Sequence, residues 1–226
     1  LKNQPGIGAP ITSLPSGPST PSAPTFTWTD YPYNKTKFEA AGFTVKTLTS
    51  AECRFDSDTT GVAAYLKTLS APTVIDARPC GDINAYGRTF TIKTDVVIVA
   101  KQISLHSAKV RPLDTDDHHF SVIVPDETDD DKPTCAPGYG TIQLYAFNMD
   151  PKIHGMAYSP CTIDVNNSST TRWNGQIYGG KISYSIGGIK LYYEPIVLPG
   201  LDVTGGGGGS TTFVLAAKPL EQGDVG

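Results

Sequence analysis

The sequence is poor in charge: Asp, Glu, Lys and Arg make up 18% of its 226 residues, and the formal net charge is -4. No basic stripe is present to capture a phosphate backbone, so nucleic-acid binding has no support. No apolar run is long enough to cross a bilayer as a helix, and the opening LKNQPGIGAP has neither the charged start nor the apolar centre of a secretory signal. The pair spacing C-x-x-C is missing, which argues against a zinc knuckle or a thioredoxin-type redox pair. So is the G-x-S-x-G elbow of one large class of serine hydrolases. The glycine run at 205–209 is not followed by Lys-Ser or Lys-Thr, so it is no phosphate loop.

What is abundant is turn chemistry. The chain holds 23 Gly and 18 Pro beside 38% hydrophobic residues, a balance that favours many short strands over long helices. Its four cysteines, Cys53, Cys80, Cys135 and Cys161, are an even set among loops rich in Ser, Thr, Gly and Asn, which suits two disulfides in an oxidising, extracellular compartment. Four free thiols are the alternative. Of the three pairings, Cys53 with Cys80 and Cys135 with Cys161 is favoured, because each link then closes a moderate loop within its own part of the chain.

The organisation reads as five parts. Residues 1–26, with Pro at 5, 10, 15, 18, 21 and 24, form an extended Pro/Ser-rich linker. Residues 27–72 are expected to be a small α/β lobe. Within it Val62, Tyr65, Leu66 and Leu69 make one apolar face of a helix over Thr59–Leu69 behind Asp58 or Thr59 as N-cap, and a weaker helix over Thr36–Ala41 ends at Gly42. From 73 to 204 short β-type runs follow one another too closely for helices to fit between them: TVID, FTIKT, VVIVA, ISLHS, FSVIVP, TIQLYAF, CTIDV, GQIY, KISYS, IKLYY and PIVL. Only Asn174-Gly175 is a tight hairpin signal, so a meander fits poorly and a coiled stack of rungs fits better. Gly155, Gly175, Gly179/Gly180 and Gly187/Gly188 are the expected corners. Residues 205–210 read as a Gly-rich tether, and 211–226 as a last strand, TTFVLAA, with a tail. The expected fold is therefore mainly β, a β-solenoid (parallel β-helix-like) body preceded by the α/β lobe.

Three groups of residues carry chemistry. Asp114, Asp116 and Asp117, next to His118 and His119, and Asp126 to Asp131 are oxygen-rich, and stacked loops bringing the two together could hold Ca²⁺. Their spacing is not that of an EF-hand, and solvated acidic loops are the simpler reading. His118 and His119 are adjacent, so a strand would point them to opposite faces, while His106 and His154 stand alone. Trp173, Tyr178, Tyr192 and Tyr193 decorate the rungs, where aromatic side chains either fill a core or stack on a sugar ring. A carbohydrate-active enzyme on a β-helix is the catalytic alternative, with its paired carboxylates sought among Asp114, Asp116 and Asp117. No residue set points to catalysis more directly, and a non-catalytic protein is expected.

From Tyr158 to Gly200 the residues resemble the C-terminal part of bacterial pilus-assembly proteins of the PilX-like class, minor-pilin-associated surface proteins of actinobacterial type. The matching pieces are Tyr158-Ser159-Pro160-Cys161, Trp173-Asn174-Gly175-Gln176-Ile177-Tyr178-Gly179-Gly180 and Leu198-Pro199-Gly200. Upstream, Thr73–Asp76 with Cys80, Asp95–Ala100, and Val124-Pro125-Asp126 before Cys135 are also similar to that class. The resemblance implies a domain displayed outside the membrane, anchored through an apolar N-terminal helix that no part of these 226 residues matches, with the Pro-rich stretch as spacer. It implies other pilin or pilus subunits as partners, and a surface polysaccharide or protein as ligand. It carries over no catalytic residues.

Overall fold

The computed structural model describes residues 28–165, 171–184 and 189–201. The linker, the glycine tether, TTFVLAA and Gly187/Gly188 lie outside these residues. Strand β1 (Thr44–Thr47) starts the sheet. Strands β2 (Thr73–Asp76), β3 (Asp82–Asn84) and β4 (Thr89–Ile92) make one turn of a coil, and β5 (Val96–Val99), β6 (Gln102–Ser104) and β7 (Lys109–Pro112) the next. A third follows as β8 (His118–Ile123), β9 (Ile142–Gln143) and β10 (Asn148–Met149). The long strands β11 (Ile153–Val165) and β12 (Arg172–Tyr184) run round corners and serve several faces each, and β13 (Lys190–Tyr193) completes about five turns.

Every strand-to-strand register is parallel. A first face stacks β1, β2, β5, β8, β11 and β12; a second stacks β3, β6, β9 and the distal halves of β11 and β12; a third stacks β4, β7, β10, the start of β12 and β13. This is the expected solenoid. Partners recur about every 20–24 residues, as from Thr73 to Val96 to Phe120, with one long excursion over residues 124–141 between β8 and β9.

The interior is a column of aliphatic side chains. Ile83, Ile103, Ile142 and Ile163 stand in register on the second face and are 0–2% exposed. The first face is buried on both sides, which explains why TVID and VVIVA are continuous apolar runs and not alternations. Ile75, Val96, Ile98, Phe120 and Val122 point inward, whereas Val74, Val97, Val99, Ile123, Met156 and Tyr158 belong to a second cluster outside. Trp28, Tyr31 and Phe38 from before the coil, and Ile196, Leu198 and Leu201 from after it, cover that outer side.

The segment before the body supplies this cover and a plug. Helix α1 (Lys35–Ala40), capped by the Asn34 side chain on the Lys37 amide, buries Phe38 and ends at Gly42 with φ +88, as its sequence signals predict. Helix α2 (Gly61–Leu66) is shorter than the expected Thr59–Leu69, because Gly61 takes φ +63 with the Val62 amide bonded to the Arg54 carbonyl. Thr60, not Asp58 or Thr59, is its N-cap. Val62, Ala63, Leu66 and Leu69 still enter the same core as Ile75 and close one end of the column. The disulfides pair as favoured: Cys53 with Cys80 (Cα–Cα 5.4 Å) ties the plug to the first corner, and Cys135 with Cys161 (4.8 Å) ties the long excursion to the β11 corner.

Asn174-Gly175 is not a hairpin. It lies inside β12 where the strand bends from the third face to the first, with Gly175 at φ +119 directly over Gly155. PIVL forms no strand either; it lies across the first face, where Ile196 and Leu198 are buried and Leu198 makes a single bridge to Leu201.

Candidate functional site

The second face repeats a short pattern that the sequence analysis did not isolate. Asp82-Ile83-Asn84-Ala85-Tyr86, Gln102-Ile103-Ser104-Leu105-His106 and Thr141-Ile142-Gln143-Leu144-Tyr145 occupy successive turns in register. Thr162-Ile163-Asp164-Val165 and Lys181-Ile182-Ser183 continue it. The isoleucines point inward, except that Ile182 on the last turn is 44% exposed. By strand alternation the residues on either side point outward. One outward column is thus Asn84, Ser104, Gln143, Asp164 and Ser183, one residue per turn about 4.8 Å apart.

At the corner beyond that column the fifth residue of the pattern forms an aromatic row. Tyr86 and His106 meet edge to face with ring centroids 4.6 Å apart, and His106 meets Tyr145 the same way at 5.5 Å. Tyr86 is 58% exposed. The Tyr145 hydroxyl donates to Asp164 Oδ2 at 2.6 Å, while Asp164 Oδ1 is shielded and meets no donor among the described residues. On the opposite edge the end of the 124–141 excursion closes in: Gly140 packs against the Gln102 side chain, Lys101 Nζ lies 6.0 Å from the Tyr139 ring centroid, and Cys135 is bonded to Cys161. The result is a polar track bordered by rings on one side and by a disulfide-held loop on the other. It can hydrogen-bond hydroxyls along its length and offer ring surface beside them.

A second feature lies on the first face. Asp95, His119 and His154 stack on consecutive turns, with Glu194 at the far end. Asp95 accepts from the His119 backbone at 2.8 Å and sits 3.3 Å from its Nδ1, and His154 Nδ1 lies 2.5 Å from Glu194 Oε2 as an ion-pair contact off the hydrogen-bond line. A cavity of about 310 Å³ opens here, walled by Phe43, Val97, Ile196 and Pro199 with Asp95, His119 and Ser121 on its polar side. Ser121 is 1% exposed and accepts from the Met156 amide at 2.9 Å. Among the described residues no hydrogen bond joins it to His119.

The bond to Asp95 raises the His119 pKa above its ordinary 6.5, outweighing partial burial. For Asp95, burial acts upward, but its bonds to the His119 side chain and amide bring its pKa down overall. A histidine raised in the folded state adds stability that is fully present below its unfolded pKa and is lost as pH rises through the folded value. An NMR titration should therefore find the His119 midpoint above 6.5, and Asp95→Asn should lower it; an unchanged midpoint would remove the pairing.

The sequence-derived candidates separate cleanly. Trp173 is 0% exposed, its indole donating to the Gly155 and Gln176 carbonyls, and Tyr178 is 7% exposed beneath Trp28 with its hydroxyl accepting from the Thr29 amide. Both were candidates for a ligand-facing surface, and both are core residues because β12 is covered by neighbouring turns or by the N-terminal segment. Tyr192 and Tyr193 are about half exposed on the third face, with Arg172 4.3 Å over the Tyr192 ring and Tyr193 beside Gln176.

Asp114, Asp116 and Asp117 share one exposed turn, where Asp114 accepts from the Asp116 amide and faces His118 Nε2 at 2.7 Å. His118 is buried at the start of β8, while His119 is exposed. The second acidic segment starts at the other end of β8, so the two do not merge. Its Asp126 is fully buried: the Trp28 indole and Thr134 amide donate to Oδ2, and the Thr128 amide to Oδ1. Burial raises its pKa against those bonds. Among the described residues no three His, Cys, Asp or Glu side chains gather in a way that could hold a metal ion.

Compared with known proteins, the chain matches no family model, and no curated protein or solved structure is significantly similar to it. Its functional reading therefore rests on its own residues and geometry.

Proposed function

We propose that the chain is a non-catalytic extracellular domain of a pilus-associated, minor-pilin-like surface protein with a structural or adhesive role. The observation that carries this reading is where the chain enters and leaves. Trp28 and Leu201 belong to one apolar cluster on the first face, and the Tyr31 hydroxyl donates to the Pro199 carbonyl at 2.9 Å. Both ends of the described body therefore sit on one flank, and among the described residues the covering segments lie on the first face and not on the second or third. That arrangement suits a domain held on a stalk and presenting a face. The two disulfides suit an oxidising compartment, and the pilus part of the reading is supported by the resemblance of the residues from Tyr158 to Gly200.

The test uses the full-length protein in its own cells, with an epitope inserted at the exposed Tyr86–Gly87 corner. Intact cells should bind the antibody, and filaments sheared from them should carry it. Detection only in lysed cells, with four alkylatable thiols, would overturn the reading. Surface labelling that stays with the cells after shearing would remove the pilus part alone.

A further inference from the structure

We propose that the second face binds a linear, uncharged polysaccharide laid along the solenoid axis, across Asn84, Ser104, Gln143 and Asp164 and against the Tyr86–His106–Tyr145 row. This deepens the adhesive reading above and rests on it.

The repeat itself points to a ligand. Folding requires only the inward isoleucines and some polar residue outside them. Yet the fifth position of the pattern places a ring at the same corner on three successive turns, and the rings touch. Strand spacing sets the period of the track at about 4.8 Å, close to the length of one sugar ring in an extended chain. A polymer with one unit per turn would therefore meet the same kind of group at each step. Backbone donors and acceptors of this face are already spent on neighbouring strands, so an added peptide strand has nothing to pair with here.

Charge narrows the class further. The outward column carries amides and hydroxyls with a single carboxylate, Asp164, which is bound by Tyr145 and has one oxygen free of donors among the described residues. Lys181 on the last turn and Asp82 on the first stand at opposite ends of the neighbouring column. A polyanion would meet Asp164, and among the described residues the two outward columns hold no Lys or Arg except Lys181 at the last turn. A polymer of neutral hydroxyl groups finds acceptors and donors on every turn, and ring faces for its C–H surfaces.

The 226-residue chain is to be run in native gels containing galactomannan, mixed-linkage β-glucan or dextran, with alginate as the polyanion. At least one neutral polymer should retard it. Tyr86→Ala and Gln143→Ala should each weaken that retardation about tenfold, the scale of losing one well-packed ring or amide contact. Tyr145→Phe keeps the ring but frees Asp164, and should weaken it less. Because Tyr86 is largely exposed, its variant should keep the wild-type circular dichroism and melting point.

Lack of retardation by every neutral polymer overturns the proposal, as does retardation by alginate alone. Retardation that Tyr192→Ala abolishes and Tyr86→Ala leaves intact moves the site to the third face and also overturns it. A surface-labelled, filament-borne protein that binds no neutral glycan keeps the pilus reading and sinks this one. Glycan binding by a protein found only inside cells does the reverse.

Discussion

Gly155→Val is expected to prevent the last two turns from packing on the first three. A Cβ at Gly155 would lie 1.8 Å from the Phe120 carbonyl oxygen and 2.6 Å from its carbon, and both are backbone atoms fixed by the parallel ladder. Gly175 sits on top, where a Cβ would meet the Gly155 oxygen at 2.0 Å. Strands β8, β11 and β12 thus approach through a stack of bare backbone, and any side chain must pry the ladder open. Overpacking of this kind costs more than about 3 kcal/mol, at the severe end for single substitutions. The check is a urea transition followed by tryptophan fluorescence. Gly87→Ala is the control: its φ of +68 is strained, but nothing lies within 4 Å, so the loss should be only about 1–2 kcal/mol. Equal midpoints for Gly155→Val and wild type would refute the close approach.

Reduction of both disulfides should have an effect of similar size or larger. Each closes a loop with a sequence separation of 26 or 27 residues, for which the restriction of the unfolded chain is worth about 3.5 kcal/mol. Together that is about 7 kcal/mol, comparable with the whole stability of many domains. The two links should also fail differently. Cys53–Cys80 ties down the plug over the end of the core, so its loss exposes Leu66 and Ile75. Cys135–Cys161 holds the excursion that walls the second face, so its loss frees Tyr139 and Gly140 while the interior column stays stacked. Melting curves of Cys53→Ala/Cys80→Ala and Cys135→Ala/Cys161→Ala compared with wild type will show this. A melting point unchanged by strong reductant would mean that neither link contributes.

Much of this fold was legible in the chain because a solenoid is built from local units. The strand runs, the loose glycine corners, the plug face of Val62, Leu66 and Leu69, and the cysteine pairing each depend on residues near one another in sequence. What stayed hidden is what depends on a neighbouring turn. Trp173 and Tyr178 look like exposed strand aromatics until one is enclosed by the stacked turns and the other is covered by Trp28, far earlier in the chain. Asn174-Gly175 carries hairpin chemistry, but the same φ > 0 tolerance serves a corner inside β12. The Asp-Ile-Asn, Gln-Ile-Ser, Ile-Gln track was written in the sequence too. Its repeats are interrupted by the 124–141 excursion, so its period fails between the second and third copies, and only the register of β6 on β9 restores it.

The shared anchorage of Trp28 and Leu201 has a mechanical side. A pull applied between Trp28 and Leu201 acts within one apolar cluster on the first face. Load then crosses the two covering segments, through the Tyr31 hydroxyl and the Pro199 carbonyl, without running down the parallel ladders. The coil behind them lies outside that line, so its second face keeps its shape while such a pull lasts.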